Sequence, residues 1–101
     1  MISLKVKFLQ SLAEKTKGLI GANPVFPVFF TTRWGIHTFG VLYPLDILIL
    51  DKNNSVVGMN QNMKPNRFFF WNPIYENVVE LPASTIEKMK IAIGSQITLS
   101  E

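Results

Sequence analysis

At 101 residues, with 48% hydrophobic and 17% charged content, the chain has the size and balance of one packed domain, which excludes intrinsic disorder and a second core. Ten Lys and Arg against seven Asp and Glu give a formal charge of +3, scattered without a basic block, so the clustered footprint of a nucleic-acid binder is missing. The lack of cysteine excludes a disulfide framework, a thiolate nucleophile and a zinc–thiolate site.

The chain opens with Ile2, Leu4, Val6 and Phe8 alternating with Ser3, Lys5 and Lys7, the period of a half-buried strand. That alternation is not the continuous apolar core of a signal peptide. The longest apolar stretch, VLYPLDILIL, is about half a membrane span and contains Pro44 and Asp46. A soluble, cytoplasmic protein without a transmembrane segment is therefore expected. In SLAEKTKG, Ser11 and Glu14 form a capping box and Gly18 a left-handed stop, which predicts a helix over about residues 12 to 17.

GANPVFPVFF holds two prolines and no helical period, so it reads as an irregular or edge segment that lends Val25, Phe26 and Phe29 to the core. Ile36 to Val41 and Leu45 to Leu50 predict two strands, or one strand bent at Tyr43-Pro44. DKNNS then supplies turn chemistry and VVGMNQ resumes an extended pattern, the clearest hairpin in the chain. IYENVVEL predicts a further strand. ASTIEKMK repeats the capping box with Ser84 and Glu87, which predicts a second short helix. IAIGSQITLS alternates through Ile91 and Ile93 and again through Ile97 and Leu99, with Gly94-Ser95 as the turn. These elements describe an α+β, mostly β, single domain over residues 1–101: a small antiparallel sandwich or barrel with two short helices.

The order and spacing of KTKGLIG, HTFGVLYPLDILILD, VVGM, VVELPAS and IAIGSQITL, from about Lys15 to Leu99, resembles the domain of unknown function 192 family. The resemblance implies a compact, mainly β domain with no established activity, in a family whose members occur with and without export signals. Its characteristic positions fall here on Gly18, Leu19, His37, Thr38, Phe39, Pro44, Asp46, Asp51, Glu80 and Gly94. The chain departs from the family at Ser84 and Lys90, where glycine is usual, and at Ser95, where an aspartate usually follows the glycine.

His37, the only histidine, stands nine residues before Asp46, and a turn near Tyr43-Pro44 would bring their segments together. Such a pair suits acid–base chemistry, or metal binding with Glu80 as a third ligand, although no diagnostic ligand spacing such as HExxH is present. A buried carboxylate must find partners. For Asp46 these are either backbone N–H groups, a structural role, or Arg33, Arg67 or His37 at the rim of a pocket. KPNRFFFWNPIY sets Phe68, Phe69, Phe70, Trp71 and Tyr75 beside Lys64 and Arg67. These aromatics either seal one end of the core or, if alternate rings point outward, form a stacking surface.

The candidate cleft is Arg33, Trp34, His37, Asp46, Arg67, Trp71 and Glu80. The reading it favours is a non-catalytic accessory or binding domain for a small polar ligand, a glycan or a peptide. The alternatives are a metal-dependent or His/carboxylate hydrolase, and a structural subunit that docks a protein partner through an exposed edge or through FFFW. No cofactor is expected, because no P-loop, nucleophile elbow or dinucleotide fingerprint appears.

Overall fold

The computed structural model describes residues 2–10 and 25–101, so the helix predicted over about residues 12 to 17 lies outside the described residues. In chain order the elements are β1 (Ile2–Lys5), β2 (Lys7–Phe8), β3 (Val28–Thr31), β4 (Ile36–His37), β5 (Leu45–Leu50), β6 (Val56–Met63), β7 (Phe68–Phe69), β8 (Asn77–Pro82), α1 (Thr85–Met89) and β9 (Ile97–Ser100).

The sequence LDILIL is almost continuously apolar because β5 is buried along its whole length. It pairs antiparallel with β6 on one edge and β8 on the other, at the heart of a five-stranded sheet ordered β2-β3-β8-β5-β6. Leu48 and Leu50 with Val79 and Leu81 face one core, closed by Leu4 and Val6, Ile97, and Ile86 and Ile91. Leu45, Ile47 and Ile49 with Val78, Val28 and Phe30 face the other, against which Ile36, Phe69, Trp71 and Tyr75 pack. Each fully buried aliphatic side chain contributes about 2 kcal/mol. A two-stranded β1-β9 sheet thus covers the first face and a two-stranded β4-β7 ribbon the second.

The fold is mostly β, as expected, but neither wholly antiparallel nor a closed barrel. The first and last strands pair in parallel, Ile2 opposite Ile97 through Lys5 opposite Ser100, and β2 runs parallel to β3. Between β6 and β9 there is one isolated bridge, Ser55 opposite Gln96, supported by Val56 N–H to Ser95 C=O at 2.9 Å and Gly94 N–H to Val56 C=O at 2.8 Å. Among the described residues β6 and β9 pair no further, so the strands remain three separate sheets.

Three local expectations change as well. Val28–Thr31 is an interior strand rather than an edge, because Pro27 precedes it and contributes only its carbonyl, to Lys7 N–H at 3.0 Å. The strand predicted over Ile36 to Val41 shortens to β4, since Thr38 turns its backbone and side chain onto residues 64–67 and Gly40 adopts φ 81°. Ile91 and Ile93 are not in a strand, for Ser95 N–H folds back to Ala92 C=O at 2.9 Å. The DKNNS turn forms as predicted, with Asp51 Oδ1 accepting from Asn53 and Ser55 N–H at 2.9 Å each and Asn54 left-handed at φ 62°.

Helix α1 forms where predicted and is the one helix among the described residues, but the capping box does not form. Ser84 is left-handed at φ 70° and its side chain caps nothing. At the other end Lys90 is left-handed at φ 55°, with Ile91 N–H to Ile86 C=O at 3.0 Å and Lys90 N–H to Glu87 C=O at 3.2 Å, a Schellman closure. Ser84 and Lys90, two positions at which the chain departs from the pattern it resembles, are therefore the two ends of this helix.

Candidate functional site

Asp46 alternates with Leu45 and Ile47 and so faces the opposite side of the sheet from them, toward α1. It is fully buried, and both oxygens are taken: Asn62 N–H donates to Oδ1 at 2.8 Å and Ile86 N–H to Oδ2 at 2.7 Å. Asp46 is thus the remote cap of α1, doing from β5 what Ser84 does not do locally. Asn62 is left-handed at φ 52°, and its Oδ1 accepts from Ser84 N–H at 3.0 Å. The same two chain segments are therefore tied twice.

His37 lies on the far side of the sheet, on β4, whose Ile36 packs onto the second core. Its ring is exposed, and its Nδ1 accepts Phe39 N–H at 3.2 Å. No hydrogen bond or ion pair joins it to Asp46. Among the described residues no three His, Asp or Glu side chains converge as metal ligands would.

Glu80 is on the same face as the second core. In the register, Val28 flanks it on β3 and Ile47 on β5, so its carboxyl stands in an apolar row. The residue is only 5% exposed, and Oε1 has no hydrogen-bond partner. Burial pushes its pKa from the usual 4.5 up to about 7.

The outer face of the β4-β7 ribbon carries the aromatic residues. Ile36 pairs with Phe69 and His37 with Phe68. The two-residue period sends Phe69 and Trp71 inward, 5.6 Å between ring centroids, and leaves Phe68 and Phe70 60% and 67% exposed. Phe68 and Phe70 are nearly parallel at 5.8 Å, Phe39 meets Phe68 edge-on at 5.0 Å, and His37 lies 5.3 Å from Phe39. Trp34, next to the ribbon in sequence, is 78% exposed. Gly35 makes room for Phe70: a Cβ there would meet Phe70 Cδ1 and the Phe69 carbonyl at 2.6 Å, with φ at 116°.

Of the seven predicted cleft residues, the structure does not gather all in one place. Asp46 is on one side of the sheet, Glu80 beneath the other face, and Trp34, His37 and Arg67 are exposed. Arg33 is held by Glu76 at 3.1 Å and by the Pro73 carbonyl at 3.0 Å. Trp71 is half-buried with its indole N–H donated to Tyr75 C=O at 2.9 Å. Sequence reasoning missed Thr38 as an organising residue. It is fully buried, donates Oγ1–H to the Lys64 carbonyl at 2.7 Å and accepts Arg67 N–H at 3.0 Å, which sets where Arg67 and Phe68 emerge.

No helix among the described residues is long and apolar enough to cross a membrane. The chain is 25% identical over 99 residues to a UPF0127 protein of Pyrococcus abyssi, covering 92% of this chain and 84% of that one. Its fold matches a protein of unknown function from Novosphingobium aromaticivorans with a TM-score of 0.78 at 17% identity, over 88% of this chain and 70% of that one. It also matches a putative transcription regulator from Sinorhizobium meliloti with a TM-score of 0.77 at 17% identity, over 90% and 78%. The profile of the DUF192 family, described as "Uncharacterized ACR", matches residues 2–99, and the chain belongs to that family.

Proposed function

We propose that the chain acts as a single non-catalytic binding domain whose ligand is a peptide segment laid on the outer face of the β4-β7 ribbon. The observation that carries this reading is the outward pair Phe68 and Phe70, continued by Phe39 and His37, on an element whose other face is committed to the core. A contiguous run of exposed rings is the kind of patch that soluble domains reserve for partners. Three phenyl rings bring no hydrogen-bonding groups, which favours apolar side chains of a peptide over the hydroxyls of a glycan. Arg67 and Lys64, both exposed beside the ribbon, favour acidic residues next to those apolar side chains. Asp46 supports no catalytic role in this reading, because both of its oxygens serve the backbone.

The reading is tested by selecting a displayed random-peptide library on the protein, with the Phe68→Ser/Phe70→Ser double variant as counter-selection. Selected peptides should lose roughly 30-fold in affinity on the double variant, the scale of losing an aromatic anchor. Its folding stability should change by less than about 1 kcal/mol, since both rings are largely exposed. Equal binding to both proteins would reject the reading.

A further inference from the structure

We propose that Glu80 is a proton-operated latch beneath the aromatic ribbon: with its carboxyl neutral the β4-β7 ribbon sits firmly on the five-stranded sheet, and with it ionised that seat loosens. The inference concerns the regulation of the surface proposed above and rests on that reading only for its biological use.

The geometry comes from the sheet register. Lys7 pairs with Val28, Val28 with Glu80, Glu80 with Ile47 and Ile47 with Asn60, so these five residues form one row across one face of the sheet. Strands lie about 4.8 Å apart, which leaves the polar ends of the row, Lys7 and Asn60, roughly 10 Å from Glu80 at the backbone. Among the described residues its two neighbours in the row, Val28 and Ile47, are aliphatic. On the same face pack Ile36 and Phe69 of the ribbon with Trp71 and Tyr75 after it, and Leu9, Val25, Val41, Val57 and Met63 belong to the same cluster. Among these Tyr75 is the titratable side chain. Lys7 is exposed at the row's end, and Asp46 of β5 faces the other way.

A neutral carboxyl in such a row leaves a polar group without a hydrogen bond, whereas a carboxylate there must either draw in water or move the cover. The sheet beneath is held by ladders on both sides of β8 and β5, but the cover is a two-stranded ribbon with two residues per strand. The ribbon is the weaker body and is the one that yields.

The sign follows from burial. The folded-state pKa of about 7 lies above the usual 4.5, so the stability tied to neutral Glu80 is complete below about 4.5 and is lost as the pH rises toward 7. Full loss corresponds to roughly 300-fold in the closed-to-open ratio.

The test is hydrogen exchange by NMR on the protein alone, read at the Thr38 amide and the Trp71 indole N–H for the ribbon and at β5 and β8 amides for the sheet, at pH 5.5 and 8. Ribbon protection factors should fall by a factor of ten or more between the two pH values while the sheet's hold. In Glu80→Gln, which has no proton to lose, they should stay level. The carbon-13 shift of the Glu80 carboxyl in the unsubstituted protein gives a second reading that needs no variant, with a midpoint expected near 7. A midpoint below 5.5, or the same ribbon loss in Glu80→Gln, would overturn the proposal. No peptide is present, so this failure is separate from failure of the docking reading.

Discussion

Single residues decide this structure where a buried polar group meets a particular backbone atom. Asp46 holds two N–H groups from segments that come 16 and 40 positions later in the chain. Asp46→Asn keeps the shape but puts an NH2 against one of those donors, so it should lower stability by about 2 to 4 kcal/mol, read as a fall in the urea midpoint. That Asp46 needs partners was legible from an acid inside an apolar run. Which partners it takes was not, because Ile86 N–H reaches it only through the tertiary arrangement of β5 and α1. The sequence likewise suggested Ser84 as a cap, and a serine before Glu87 carries the right local pattern. A left-handed backbone at Ser84 overrides that pattern. Left-handed non-glycine residues cost about 1 kcal/mol each, so Ser84→Gly and Lys90→Gly should each raise the melting temperature by several degrees. Calorimetry on the two variants checks this.

At the scale of elements, the β4-β7 ribbon joins core to surface. Alternation through RFFFW was sufficient to say that neighbouring rings point opposite ways, but not which pair points out. That choice is made by Thr38, whose bonds to Lys64 and Arg67 fix the phase of β7, and by Gly35, whose missing side chain leaves space for Phe70. Gly35→Ala should therefore cost about 2 kcal/mol, since it combines a positive φ with contacts to the Phe69 carbonyl and the Phe70 ring that must give. Aromatic-ring NMR signals of Phe70 would shift if the ribbon is displaced as argued. Unchanged stability would mean that the ribbon is less firmly set than its geometry requires.

For the whole molecule, the central sheet was largely legible: β5, β6, β8 and the hairpin at DKNNS all follow from apolar runs and turn chemistry. The parallel pairing of the first strand with the last was not, because no local pattern relates residues at opposite ends of a chain. The same limit separated the predicted cleft residues. His37 and Asp46 are close in sequence, yet β5 presents Asp46 to the core beneath β1-β9 while β4 covers the other face. The outcome is a molecule with two differently built sides, one closed around a capped helix and the other carrying the ribbon on the face to which Glu80 belongs.

Whether the ribbon side is the binding side is tested most directly by an amide-resolved NMR titration with a peptide selected on the protein. Shifts confined to residues 34–39 and 67–71, lost on Phe68→Ser/Phe70→Ser, are the predicted result. Shifts centred on α1, β1 and β9, with the ribbon silent, would contradict it.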